Sequence, residues 1–298
     1  MSATHLSGII CPIVTPLTAD ESLDVTAFRT LLDRVLPDID GLLVLGTTGE
    51  FALLPQKVQW QIVEVAVARA KGEKPVYVGV GDTSTARVLE KLEFTNQSGA
   101  DYVVVCSPYY YAFSDEDALA YHYFTIADQS DLPVLVYNIP QNTHNHLSPQ
   151  LVRRLADHAN IAGLKDSCGD MVQFQEFLLI KEDKGNAFSV FQGPEHLAAA
   201  SLWLGADGVV SALANFVPEL LQTLARQVRD SDREAALLTQ RSITRLASIF
   251  RYGAVSSALK VVLNESGIAS DRVASPLPPC SETEKQNIRS ILREAALI

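Results

Sequence analysis

The chain has 298 residues, 47% hydrophobic and 20% charged, enough for a sizeable core in one barrel-sized fold. Its 24 basic and 35 acidic residues give a formal net charge of −11, and with no Lys/Arg-rich run this argues against nucleic acid or an anionic membrane as partner. Four scattered cysteines (Cys11, Cys106, Cys168, Cys280), no apolar run of the ~18 residues that span a bilayer and no basic segment ahead of the apolar run at 8–14 point away from disulfides, a zinc site, a membrane anchor or a signal peptide, and toward a reducing cytosol.

Short Leu-rich or β-branched runs recur at 8–14, 41–46, 75–81, 101–106, 132–138, 161–165, 188–193 and 207–212. Several are continuously apolar rather than alternating, the pattern of strands buried on both faces of a parallel sheet. Helical patterns lie between them. Residues 24–36 carry Val25, Phe28, Leu31, Leu32 and Val35 at helical spacing. Residues 55–70 open with Pro55 in the first turn, 84–98 with Ser84, 115–129 with Ser114 as cap and 148–157 with Ser148-Pro149. Residues 171–183, 194–204 and 217–229 complete eight strand–helix units.

Eight such units in roughly 230 residues predict an α/β fold, a (β/α)8 TIM barrel, with a doubly wound open sheet as the structural rival. No G-x-G-x-x-G follows the first strand, which weakens the dinucleotide-binding version of that rival. Residues 232–298 contain no convincing strand; two helical stretches and a capped helix from Ser281 or Glu282 follow one another, with VASPLPPC as the breaker. The division expected is a catalytic barrel over 1–230 and a helical C-terminal extension over 231–298.

In a parallel barrel the chemistry sits at the C-terminal strand ends, which narrows the search. The stretch IAGLK delivers a single lysine, Lys165, at the end of an apolar strand, one strand after Tyr137. An ammonium there is costly unless paired or neutral, and a neutral lysine is a nucleophile toward carbonyl carbon. The competing reading is a snorkelling or salt-bridged strand-end lysine. Gly46-Thr47-Thr48-Gly49-Glu50 offers hydroxyls and backbone N–H groups that could cradle a carboxylate, or forms only a capped turn. Of Tyr109, Tyr110 and Tyr111, at most two can reach a common site if the segment is strand-like. Asp166 would then point away from Lys165. His144 and His146 lack a third metal ligand nearby and read as loop histidines.

Taken together, GTTGE (46–50), SPYY (107–110), YNIP (137–140) and GLKDS (163–167) resemble the dihydrodipicolinate synthase/N-acetylneuraminate lyase family over essentially the whole chain. The resemblance implies a TIM barrel with a helical extension. It also implies a lysine Schiff base with pyruvate or another 2-oxo acid, and no metal or organic cofactor. By matching positions, Lys165 is the Schiff-base lysine and Tyr137 the proton shuttle. Thr47 and Tyr110 partner that tyrosine, Tyr110 from a neighbouring subunit, and Thr48 holds the carboxylate. Gly46, Asn142, Ser167, Gly193, Glu195 and Val210 fall at substrate-contacting positions. The shared tyrosine implies a homotetramer, a dimer of dimers.

Dihydrodipicolinate synthases usually carry arginine where this chain has Asn142, and glycine where it has His144. An uncharged amide cannot grip a carboxylate in a bidentate ion pair. IPQNT, KDS and SALANF are closer to the sugar-acid and 4-hydroxy-2-oxoglutarate aldolase branches. The expectation is therefore a lyase that reversibly cleaves a 2-keto-3-deoxy sugar acid or 4-hydroxy-2-oxo acid to pyruvate and an aldehyde. The alternatives are a 4-hydroxy-tetrahydrodipicolinate synthase, a 2-keto-3-deoxy acid dehydratase and a non-catalytic 2-oxo acid sensor.

Overall fold

The computed structural model describes residues 5–298; residues 1–4, which the leader reading includes, lie outside the described residues. Eight parallel strands close into a barrel in chain order. They are β1 (Gly8–Pro12), β2 (Gly41–Val44), β3 (Val76–Gly79), β4 (Tyr102–Cys106), β5 (Val134–Asn138), β6 (Ile161–Asp166), β7 (Ser189–Gln192) and β8 (Gly208–Val210). Closure excludes the open-sheet rival. Each strand lies within its predicted run, apart from β6, which extends one residue further to Asp166.

The chain divides into two compact units. Of the described residues, one unit comprises 5–8 and Tyr77–Val210. Here β4, β5, β6 and β7 pair through Val104↔Leu135, Val136↔Leu164 and Lys165↔Phe191. Their apolar side chains are buried on both faces, each contributing about 1.5–3 kcal/mol. Its helices are α3 (Thr85–Gln97), α4 (Glu116–Gln129), α5 (Pro140–Thr143), α6 (Pro149–Leu155), α7 (Met171–Lys184) and α8 (Ala198–Trp203). Ser84 and Ser148 cap as predicted, accepting from Arg87 N and Leu151 N. The cap of α4 is Asp115 rather than Ser114; its carboxylate accepts from Asp117 N. The predicted helix 194–204 splits into a 3-10 turn, Glu195–Leu197, and the short α8.

The other unit comprises Ile9–Val76 and Ser211–Ile298. It holds β1 and β2, paired through Cys11↔Leu42, with α1 (Val25–Val35) and α2 (Gln56–Ala70). Pro55 stands at the cap of α2, one position before the predicted first turn. The C-terminal helices are α9 (Pro218–Arg229), α10 (Arg233–Ala247), α11 (Val255–Glu265) and α12 (Glu282–Glu294). Ser281 and Glu284 form a reciprocal capping box at α12. Asn215 stitches this unit internally: its Oδ1 accepts from Val14 N at 3.0 Å, and its Nδ2 donates to Pro12 O at 3.0 Å. Among the described residues no single helix is long and apolar enough to cross a membrane.

Candidate active site

Tyr137 and Lys165 are register partners on β5 and β6, next to the strand ends. In-register residues of neighbouring parallel strands project to the same side, so the two side chains meet. Lys165 is 4% exposed, and its Nζ lies 3.9 Å from the centroid of the Tyr137 ring. Among the described residues no carboxylate forms an ion pair with Lys165. The ammonium is neither snorkelling into water nor salt-bridged, the two readings that competed with a chemical role.

One residue on, alternation turns the side chains the other way. Asn138 and Asp166 are also register partners, both fully buried, and Asn138 Nδ2 donates to Asp166 Oδ1 at 2.6 Å. Asp166 also accepts from Cys168 Sγ at 3.1 Å, while Asn138 Oδ1 accepts from Leu147 N. Burial pushes the Asp166 carboxyl above its ordinary range, against these hydrogen bonds. This pair locks β5 to β6 directly behind the tyrosine and lysine.

The segment after β4 is not strand-like, so the alternation argument for its tyrosines does not apply. Tyr109 is half-buried, and burial together with the Asp82 carboxylate raises its phenol to about 12. Tyr110 is 76% exposed and sits at φ 90°, in the left-handed region, with its ring edge-on to the exposed Tyr111. Asn145, which the sequence reading passed over between two loop histidines, holds this loop. It is 1% exposed; its Nδ2 donates to Pro108 O and Tyr111 O, and its Oδ1 accepts from Phe113 N at 2.7 Å.

The loop after β5 contains α5, a turn too short to carry a periodicity signal. Asn142 is exposed on it, and His144 closes it at φ 60°. That left-handed position is one that glycine adopts without strain. Gln141 Nε2 donates to Ser167 O at 2.9 Å, tying this loop to the one after β6. Gly193 N donates to Asp166 O at 2.7 Å, and a Cβ at Gly193 would fall 2.1 Å from Ser167 Oγ and 2.9 Å from Asp166 O. Glycine is thus required there by close approach. Glu195 is half-buried in the turn that follows β7, and Val210 ends β8, buried.

Gly46, Thr47 and Thr48 belong to the other unit. Thr47–Gly49 form a 3-10 turn directly after β2. Thr48 is buried and Thr47 half-buried. Thr15 Oγ1 donates to Gly49 O at 2.8 Å, and a Cβ on Gly49 would approach Ile13 O to 3.1 Å. Glu50 caps the turn at φ 62°, its N–H donating to Thr47 O. Among the described residues no group of three His, Cys, Asp or Glu side chains is arranged to hold a metal ion.

The sequence signature of the Dihydrodipicolinate synthetase family matches residues 5–295. A 4-hydroxy-tetrahydrodipicolinate synthase from Phocaeicola vulgatus is 32% identical over 99% of this chain and 98% of its own. A DapA-like lyase from Halobacterium salinarum is 33% identical over 98% of this chain and 95% of its own. Among solved structures, YagE from E. coli K12, a prophage protein of the dihydrodipicolinic acid synthase family in complex with pyruvate, superposes with a TM-score of 0.94. It is 30% identical and covers 98% of this chain and 99% of its own. The barrel, the strand-end motifs and these likenesses agree: the chain belongs to the dihydrodipicolinate synthetase family and is a lyase of that family.

Proposed function

We propose that this lyase reversibly cleaves a 2-keto-3-deoxy sugar acid or 4-hydroxy-2-oxo acid to pyruvate and an aldehyde through a Schiff base on Lys165, in the cytosol. The observation that carries the reading is the buried, carboxylate-free amine against the Tyr137 ring. The free amine attacks the C2 ketone of the substrate, water leaves, and the protonated imine becomes an electron sink. Tyr137 takes the proton of the C4 hydroxyl. The C3–C4 bond then breaks, its electron pair forming an enamine as the aldehyde departs. Protonation at C3 and hydrolysis release pyruvate and restore the amine. Thr47 and Tyr110 orient Tyr137, the latter from a neighbouring copy in a homotetramer. Thr48 and Gly46 hold the carboxylate. Gly193 and Val210 are further substrate contacts, and Asn142, Ser167 and Glu195 serve the aldehyde end, where exposed, uncharged Asn142 suits a polyhydroxylated chain better than a carboxylate.

Pyruvate with borohydride is expected to add mass at Lys165, and Lys165→Ala to abolish both the adduct and turnover. A screen of 2-keto-3-deoxy acids scored by pyruvate release identifies the substrate, and its products separate aldol cleavage from dehydration. Full turnover by Lys165→Ala refutes the mechanism. The naming of the Phocaeicola vulgatus relative favours a second reading, condensation of pyruvate with aspartate semialdehyde. An inert mixture of those two compounds removes it.

A further inference from the structure

Glu50 and Lys260 are two buried charges that the proposed chemistry does not use. Lys260 lies on α11, 0% exposed, with its Nζ 2.5 Å from Glu50 Oε1; the Glu50 side chain is 1% exposed. The other carboxylate oxygen, Oε2, accepts from Ala274 N at 2.6 Å, itself in a buried residue. Glu50 is thus held on both oxygens by the C-terminal segment. Glu21, which hydrogen-bonds Ser275, adds a weaker negative influence on Lys260 than Glu50 does. Burial draws Lys260 below its ordinary value while Glu50 opposes that shift.

Glu50 is also the residue that closes the Thr47–Gly49 turn. Its backbone sits at φ 62°, in a region where a side chain other than glycine's is strained, and its N–H donates to Thr47 O at 3.1 Å. Leu53 N then donates to Glu50 O at 2.9 Å. Such a conformation persists only when the surroundings over-determine it. Here the surroundings are an ion pair on one carboxylate oxygen and an amide on the other.

We propose that Glu50 and Lys260 are positioning residues for the 2-oxo acid carboxylate: their buried ion pair fixes the turn that presents Thr47 and Thr48. The inference rests on the proposed function, in which that turn holds the carboxylate. A buried pair loses most when only one partner is removed, because the other charge stays behind unpaired. Losing both charges is milder.

The test measures the pyruvate concentration giving half-maximal borohydride trapping at Lys165, the limiting trapping rate, and the unfolding midpoint. Glu50→Gln and Lys260→Met each raise the half-saturating pyruvate about tenfold or more, with the limiting rate changed by less than about threefold. The double variant Glu50→Gln/Lys260→Met recovers part of the unfolding midpoint that either single variant loses but keeps the raised half-saturation, because the clasp on the turn is still absent; native half-saturation in the double variant also overturns the proposal. A lower midpoint with unchanged half-saturation in both single variants means a merely structural pair and overturns the proposal. If neither single variant folds, Glu50→Asp carries the test, since it keeps the charge and shortens the reach; unchanged half-saturation there also overturns it. Absence of trapping in the native chain defeats the Schiff-base reading instead, so the two failures are distinguishable.

Discussion

Asp82, just beyond β3, shows how single residues near the strand ends trade burial against charge. Its residue surface is 4% exposed. Burial pushes its carboxyl up, but hydrogen bonds from Lys91, the Thr83 amide and Arg87 outweigh this and bring it down to about 2. An acid whose folded value lies below its unfolded one stabilises the fold above the unfolded value. That contribution disappears as pH falls through the folded value. Asp82→Asn is therefore expected to lower stability at neutral pH by about 1 kcal/mol, allowing for solvent screening on the Arg87 side. The deficit should shrink between about pH 4 and pH 2, as read from denaturant midpoints. A deficit constant across that window would mean that the charge is not its source. Local chemistry of this kind is only partly legible in a sequence. Lys165 and Tyr137 announce themselves because charge and phenol end apolar runs. Asn145 does not, because what it holds is the backbone of a loop more than thirty residues away.

At the scale of elements, strand β6 carries the argument. Its Gly163 pairs with Ser189 of β7, and a Cβ there would lie 2.4 Å from Ser189 O and 3.1 Å from Leu135 Cδ1. Gly163→Ala must push β6 from its neighbours, at about 1–3 kcal/mol for overpacking. Because Lys165 is two residues further along the same strand, the borohydride trapping rate should fall together with the denaturant midpoint. A variant with native midpoint and native trapping would show that the strands have slack. Elements were legible here to the extent that they had a period or a run. The eight strands stood out as apolar runs, and Ser84, Ser148 and Ser281 as caps. The α5 turn has only four residues, below any periodicity, and Asp115 displaced Ser114 because either could accept from the first turn.

For the whole molecule, Tyr110 is the informative feature: a bulky residue at φ 90°, 76% exposed, in a conformation that costs about 1–3 kcal/mol. In the proposed tetramer a neighbouring copy covers it. Sedimentation should show a tetramer for the native chain. Tyr110→Gly relieves the backbone and should leave the fold intact while slowing turnover about 100-fold through loss of the relay. A fully active monomer would refute the shared-tyrosine arrangement. Partnership between distant parts of one chain is as hidden from sequence as partnership between copies. The GTTGE motif could be recognised, yet nothing near it names Lys260 or Ala274 as its supports. That separation bears on biosynthesis. While the chain is being made, Glu50 leaves the ribosome long before the cation and amide that will clasp its side chain, so the motif cannot settle into its working shape until nearly all of the polypeptide has emerged. A nascent chain stalled just before Lys260 would already have all eight strands but no clasp on the Glu50 side chain.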